Sequence, residues 1–263
     1  MKIAICISGQ PRHYEIGYVS FTKAILNRYH PDVFIHTWFD KKRVWESYDR
    51  SDPANRRELT ENIIYPNIPR GIKKLYKPKA FIHEPQKQFN LDDSKFNLAP
   101  HSITPFRLYS QKYSIKKAND LKMEYENKNN FKYDWVIRSR FDLDYDLINL
   151  DLNQYNKKYI YSNGVEYKVK IDTNHGMDDC FAVGSSENID IYSNLYVYLE
   201  KYLLKDKLNV ASEGLTYHHL LENNIKVHYD TYGITFIGDK DWRLRNPKKD
   251  IVEERNIIRK VLL

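Results

Sequence analysis

The sequence predicts an α/β fold, with one continuous domain built on a mixed, mainly parallel central sheet flanked by helices. Three observations lead there. The chain opens on a short β-rich apolar run, Lys2 to Ser8, that ends abruptly at Gly9-Gln10-Pro11. Helical spacing follows over Tyr18 to Tyr29, with Val19, Phe21, Ile25 and Leu26 on its apolar side. Pro31-Asp32 then separates that helix from a second strand, Val33 to Trp38. Strand, helix and strand in this order build a parallel pair with a right-handed crossover, and such sheets bind ligands beyond the carboxyl ends of their strands.

The remaining elements can be read in order. Phe39 to Pro78 is polar, basic and interrupted by Pro53, Pro66 and Pro69, so helical fragments and loops are expected there. Ala80 to His83 reads as a third strand, and Gln86 to Pro100 as an irregular surface loop. Phe106 to Tyr125 returns to helical periodicity through Leu108, Ile115, Ala118, Leu121 and Met123. From Tyr133 to Asp146 the pattern alternates. A period of two puts Val136, Arg138, Arg140, Asp142 and Asp144 on one side, and Ile137, Ser139, Phe141 and Leu143 on the other. Asp179 to Gly184 reads as a buried strand, Ile189 to Leu204 and Glu213 to Asn223 as helices, and Lys226 to Asp230 as a strand. A charged helix over Pro247 to Leu263 closes the chain. Its apolar end, Val261-Leu262-Leu263, is read as a cap on the fold, with subunit docking or peripheral membrane contact as alternatives.

Composition narrows the function classes. A chain of 263 residues can bury a substantial core, and 41% hydrophobic with 29% charged residues excludes a disordered polar polymer. The apolar run Ile3 to Ile7 is far shorter than the roughly 20 residues of a membrane-spanning helix. Ser8 to Arg12 breaks it too early for a secretory signal, so a cytoplasmic protein is expected. Cys6 and Cys180 each lie in an apolar run, as buried reduced thiols do. The net charge of +7 favours anionic partners, and phosphate-bearing substrates qualify. No zinc-ligand spacing or nucleic-acid motif accompanies the spread lysines and arginines, so nucleic acid is not an expected partner.

The chemistry concentrates after the alternating stretch. Asp142-Leu143-Asp144 at a strand end suits a hard divalent cation, Mn²⁺ or Mg²⁺, which takes oxygen ligands together with substrate phosphates. The neighbouring arginines would be costly to bury without an anionic partner. Ser8, Gly9 and Arg12 follow the first strand, where glycine lets backbone N–H groups approach phosphate and arginine can pair with it. His36, Thr37 and Trp38 end the second strand at the same edge, with Trp38 readable as core as well. His175, His218, His219 and His228 are further metal-ligand candidates, of which His228 stands on a late strand near Asp230. A carboxylate base would come from Asp179, Glu213 or Asp178, in that order of preference. The glycine spacings of dinucleotide-binding and phosphate-cradling lysine loops are missing from the sequence.

Four segments together resemble the GT-A-like glycosyltransferases of large DNA viruses, phages and bacterial surface-polysaccharide clusters. They are Lys2-Ile-Ala-Ile-Cys-Ile-Ser-Gly-Gln-Pro-Arg12, Asp32-Val-Phe-Ile-His-Thr-Trp38, Trp135-Val-Ile-Arg-Ser-Arg-Phe-Asp142 and Asp178-Asp-Cys-Phe-Ala-Val-Gly-Ser185. The resemblance implies a GT-A-like, Rossmann-like fold. It also implies a nucleotide diphosphate sugar as donor, a glycan or other acceptor, and divalent-metal dependence. If the source is viral, the location is host cytoplasm. The nucleotide-sugar part would occupy residues 1–146, the acceptor part 147–246 and the terminal helix 247–263. Arg138 and Arg140 would hold the diphosphate or brace Asp142. Gln111 lies in the helix that resembles the segment beside the nucleotide, with Tyr109 and Tyr113. Two alternatives stay open: a nucleotidyltransferase acting on sugar phosphates, and a catalytically inactive nucleotide-sugar-binding protein. Donor base, sugar, acceptor, stereochemical course and oligomeric state are not written in the sequence.

Overall fold

The computed structural model describes residues 1–40, 46–47, 57–58, 67–98, 103–145, 150–163, 176–230 and 235–236. The expected strand-helix-strand opening is present. Strand β1 (Ile3–Gly9) leads through a turn to α1 (Tyr14–Phe21), a π-helical turn (Thr22–Leu26) and the short α2 (Asn27–Tyr29), then to β2 (Asp32–Trp38). Two very short strands, β3 (Glu46–Ser47) and β4 (Arg57–Glu58), pair with each other. Helix α3 (Ile68–Tyr76) follows, with a proline in its first turn, and leads to β5 (Ala80–Glu84). Helix α4 (Pro105–Asn129) is capped by the Thr104 side chain, which accepts from the Arg107 N–H, and ends at left-handed Asn130. The rest comprises β6 (Trp135–Ser139), β7 (Leu143–Asp144), β8 (Tyr159–Asn163), β9 (Ala182–Gly184), α5 (Ser186–Ser193), α6 (Leu195–Glu200), a π-helical turn (Lys201–Lys205), α7 (Ser212–Glu222), β10 (Lys226–Asp230) and β11 (Thr235–Phe236).

Seven strands form one sheet in the order β10-β8-β9-β6-β1-β2-β5. Every strand in it runs the same way except β9, which is antiparallel to both β6 and β8. The fold is therefore α/β with a mixed, mainly parallel sheet. Both faces are covered, as parallel sheets require. On one face Ile3, Ile5, Ile7, Val33, Ile35, Ile137 and Val183 pack against α1 and α3 through Tyr14, Phe21, Ile68, Ile72 and Tyr76. On the other, Ala4, Cys6, Phe34, Val136 and Ala182 meet Ile115, Ala118 and Leu121 of α4, Ile189 and Tyr192 of α5, and Leu220 of α7. A third cluster joins Leu108 and Tyr109 of α4 to Leu195, Leu199, Tyr202, Leu203 and Leu215.

Helix α4 is less amphipathic than its covering role suggests, because it buries charges as well as hydrocarbon. Lys122 and Glu126, both 0% exposed, form an ion pair at 3.1 Å, and Lys122 also reaches Asp190 at 2.6 Å. Glu126 accepts from Ser186 and from the Tyr133 N–H. That satisfied network fixes α4 against α5 and the start of β6.

Two expectations need correction. The alternation read through Tyr133 to Asp146 holds only as far as Ser139, where β6 stops. Phe141 and Asp142 form a turn, and Leu143 and Asp144 then pair antiparallel with Phe236 and Thr235 instead of extending β6. The strand expected over Asp179 to Gly184 is limited to Ala182–Gly184. The expected terminal helix over 247–263 and His175 lie outside the described residues.

Candidate active site

The single reversed strand decides where the chemistry collects. Because β9 runs against β6, the Asp178-Asp179-Cys180 segment that feeds it arrives at the edge where β1, β2 and β6 end. Four stretches of chain therefore meet there: the turn after β1, the end of β2, the turn after β6 and the approach to β9. Helix α4 adds Gln111, Lys112 and Ser114 from above, and Ser212 comes from the start of α7.

Asp142 is 6% exposed and held from both sides of its carboxylate. Arg140 donates from Nε to Oδ1 at 2.9 Å and from Nη2 to Oδ2 at 2.7 Å, a bidentate pair. Burial alone would raise the Asp142 carboxyl, but Arg140, with Arg12 and His13 nearby, holds it below its usual value. Arg12 itself donates to Gln10 at 2.6 Å, and burial lowers its pKa against the opposing pull of Asp142. The Asp142 turn sits against α1 at Gly17. A Cβ there would overlap the Phe141 carbonyl oxygen, so only glycine lets the helix approach this closely.

Asp179 is the second focus. It accepts from Gln111 at 2.9 Å and from the Ser212 hydroxyl, and Lys112 Nζ lies 3.6 Å away. Lys112, 1% exposed, also donates to Thr216 at 2.8 Å. Burial opposes ionisation of Asp179, yet Lys112 and Arg138, with hydrogen bonds from Ser212 and Cys180, depress its pKa. Asp178 goes the other way, raised by burial and by the adjacent Asp179 charge. The paired carboxyls are thereby pushed apart in acidity. Arg140 Nη1 also reaches Cys180 Sγ at 3.4 Å, linking the Asp142 and Asp179 groups.

Arg138 lies beside Cys6 of β1 and Ala182 of β9 in the sheet register, 1% exposed, with Nε and Nη1 lacking hydrogen-bond partners among the described residues. The Ser8 hydroxyl, two residues along the same face of β1, also lacks one. Gly9 adopts φ +110°, its N–H donates to Ser114 at 2.8 Å, and its carbonyl accepts from Thr37 at 2.8 Å. His36 is fully enclosed, with Nδ1 2.8 Å from Ser114 and Nε2 2.9 Å from Glu84. Trp38 is buried and stacks on Tyr113 with ring centroids 5.4 Å apart. These contacts make His36, Thr37 and Trp38 supports of the edge.

The three residues singled out as metal ligands are not brought to one point. His228 stands on β10, three strands from β6, or about 14 Å at ordinary strand spacing, and packs on the Tyr161 ring at 5.3 Å. Asp144 is buried on β7. His219 is spent on Tyr202 and the Ile191 carbonyl. Among the described residues, Asp178, Asp179 and Cys180 offer ligand atoms within 4.8 Å of one another. Their chemistry suits a hard dication poorly. The Cys180 thiol, its pKa raised well above the ordinary value by burial, stays protonated and donates toward Asp179 at 3.2 Å. Lys112 is already against Asp179, and Arg140 reaches the Cys180 sulfur. Unit charges 4 Å apart interact by about 4 kcal/mol near a protein surface, and a dication among these cations would meet about twice that repulsion from each.

A comparison with protein-family models finds no match, and neither does one with curated proteins. Among solved structures, the chain is similar to a glycosyltransferase involved in glycosylation of the major capsid of the virus PBCV-1. Identity is 6%, TM-score 0.40, and the match covers 99% of this chain and 100% of that one. It is also similar to the nucleoside-diphosphate-sugar pyrophosphorylase from Vibrio cholerae RC9, at 12% identity and TM-score 0.42, over 96% and 98% of the two chains. Likeness at this level says nothing of this chain's chemistry, which rests on its own residues. No helix among the described residues is long and apolar enough to cross a membrane.

Sequence reasoning missed Lys112, Ser114, Glu84, Cys180 and Ser212. Lys112 and Ser114 flank the named Gln111 and Tyr113 on α4, but a lysine between polar neighbours reads as solvent-facing until its partner is known. Glu213 begins α7, where its carbonyl accepts from the Met177 N–H at 3.4 Å and its charge acts on Lys112.

Proposed function

We propose that the chain is a GT-A-like glycosyltransferase that moves a sugar from a nucleotide diphosphate donor to an acceptor hydroxyl. The observation that carries this reading is the meeting of Arg138, Arg140 and Asp142 with the Asp178–Asp179 pair at the carboxyl edge of a mainly parallel sheet. In the reaction the acceptor oxygen bonds to the anomeric carbon and the bond from that carbon to the donor's β-phosphate oxygen breaks. The acceptor proton goes to a carboxylate and the nucleoside diphosphate leaves with the bonding electrons. The cations Arg138, Arg140 and Lys112 offset the charge that grows on the leaving diphosphate.

Asp178 is the proposed proton acceptor. One of its oxygens accepts from the Cys180 N–H at 2.8 Å, and its raised pKa favours uptake of a proton. Asp179, committed to Gln111, Ser212 and Lys112, positions that segment, and Glu213 is a second carboxylate in reserve. Residues 1–146 are assigned to the donor and 147–246 to the acceptor.

Product analysis tests the proposal. Incubation with nucleotide sugars and glycan acceptors should release nucleoside diphosphate and a glycosylated product, and Asp142→Asn should lower kcat at least tenfold while the circular-dichroism spectrum is retained. Pyrophosphate release from a sugar phosphate and a nucleoside triphosphate would instead assign a nucleotidyltransferase. Donor binding with no product would leave a binding protein.

A further inference from the structure

The cations at this edge are placed to do what a bound metal would otherwise do. Arg140 clamps both oxygens of Asp142 and extends to Cys180, and Lys112 stands beside Asp179. Each of these carboxylates thus has a countercharge supplied by the chain. Arg138 is the exception among the cations. It is 1% exposed, and its Nε and Nη1 lack partners among the described residues, although Lys112 and Asp179 are its electrostatic neighbours. The Ser8 hydroxyl next to it along the sheet is unpartnered as well. A guanidinium is rarely buried with donors unused, and phosphate oxygens are among the acceptors it matches best. Of the cations Arg138, Arg140 and Lys112, it is Arg140 that meets solvent, its side chain 26% exposed.

We infer that nucleoside diphosphates bind here without a divalent metal, their diphosphate held by Arg138 together with Arg140, Lys112 and the Ser8 hydroxyl. The inference rests on the nucleotide-sugar reading above and departs from the metal dependence that the sequence resemblance implies.

Calorimetric titration of the full chain tests it, with inorganic pyrophosphate and with a panel of the uridine, guanosine, adenosine, cytidine and thymidine diphosphates. Each is run once in EDTA and once in Mn²⁺. At least one nucleotide should bind with the same Kd, to within about twofold, in both conditions, and the electron paramagnetic resonance of Mn²⁺ should show no protein-dependent loss of the free-ion signal. Arg138→Met should weaken binding in EDTA at least tenfold, about 1.4 kcal/mol. Arg138→Lys, which keeps the charge, and Ser8→Ala should weaken it less, and they serve if the methionine variant does not fold. Lys157→Met, on the surface away from the edge, should leave it unchanged. Binding that appears only with Mn²⁺ overturns the inference and leaves the nucleotide-sugar reading standing. Failure of every nucleoside diphosphate in both conditions overturns both.

Discussion

Replacing Gly17 by alanine sets two effects of known sign against each other. In a helix interior alanine is favoured over glycine by about 1 kcal/mol, so α1 considered alone should be stabilised. The new Cβ, however, would overlap the Phe141 carbonyl oxygen and stand 3.1 Å from its carbonyl carbon, inside the roughly 3.5 Å of an ordinary carbon contact. The obstacle is backbone, so relief requires α1 or the Asp142 turn to move by on the order of 1 Å. Overpacking of this kind costs about 1–3 kcal/mol, and a backbone obstacle belongs at the upper end. The net loss is then about 2 kcal/mol, or roughly 4–8 °C in Tm for a chain of this size. Because Asp142 in that turn holds Arg140, one of the groups assigned to the diphosphate, affinity for pyrophosphate should fall in the same variant. Gly71→Ala is the comparison, since its Cβ would meet the Tyr14 ring, 2.5 Å from the hydroxyl, a side-chain obstacle and not a backbone one. Differential scanning calorimetry with pyrophosphate titration reads both quantities. A Gly17→Ala protein that melts at or above the unaltered temperature and binds normally would refute the close-approach argument.

Two further predictions concern buried polar groups that hold the fold. Glu126→Gln removes one of the two carboxylates against buried Lys122, with Asp190 remaining, and should cost about 1–3 kcal/mol, read by thermal melts. His36 has its pKa lowered from the ordinary 6.5 by burial, despite the opposing pull of Glu84. The unfolded chain therefore takes up the proton first as pH falls below about 6.5, and stability should drop through that window. The Tm of His36→Asn should change less than that of the unaltered protein between about pH 7 and pH 5, and an identical slope would remove His36 from the account.

Much of the fold was legible because buried parallel strands are written as apolar runs. Lys226–Asp230 matches its expected bounds, and Asp32–Trp38 differs by one residue. What misled was polarity out of place. Pro69 was read as an interruption, yet it opens α3, where a missing N–H costs nothing. Helix α4 was read four residues short because Glu126 to Asn129 carry no apolar signal, although Glu126 is buried through its ion pairs. Strand β8, Tyr-Ile-Tyr-Ser-Asn, went unread between polar neighbours. The candidate edge was visible as Arg138, Arg140, Asp142, Asp178 and Asp179. The bracing of Asp142 by Arg140 was legible too, but Lys112 and Ser212 against Asp179 were not, because such pairings join residues far apart in sequence and have no local pattern.

The direction of β9 has a consequence for when the protein becomes competent during synthesis. Its reversal delivers acids made late to a rim laid out by β1, β2 and the turn after β6. A nascent chain that has completed only residues 1–146 would carry Lys112 and Arg138 without the Asp179 carboxylate that faces them. The balanced edge is therefore complete only once β9 has joined β6 in the sheet.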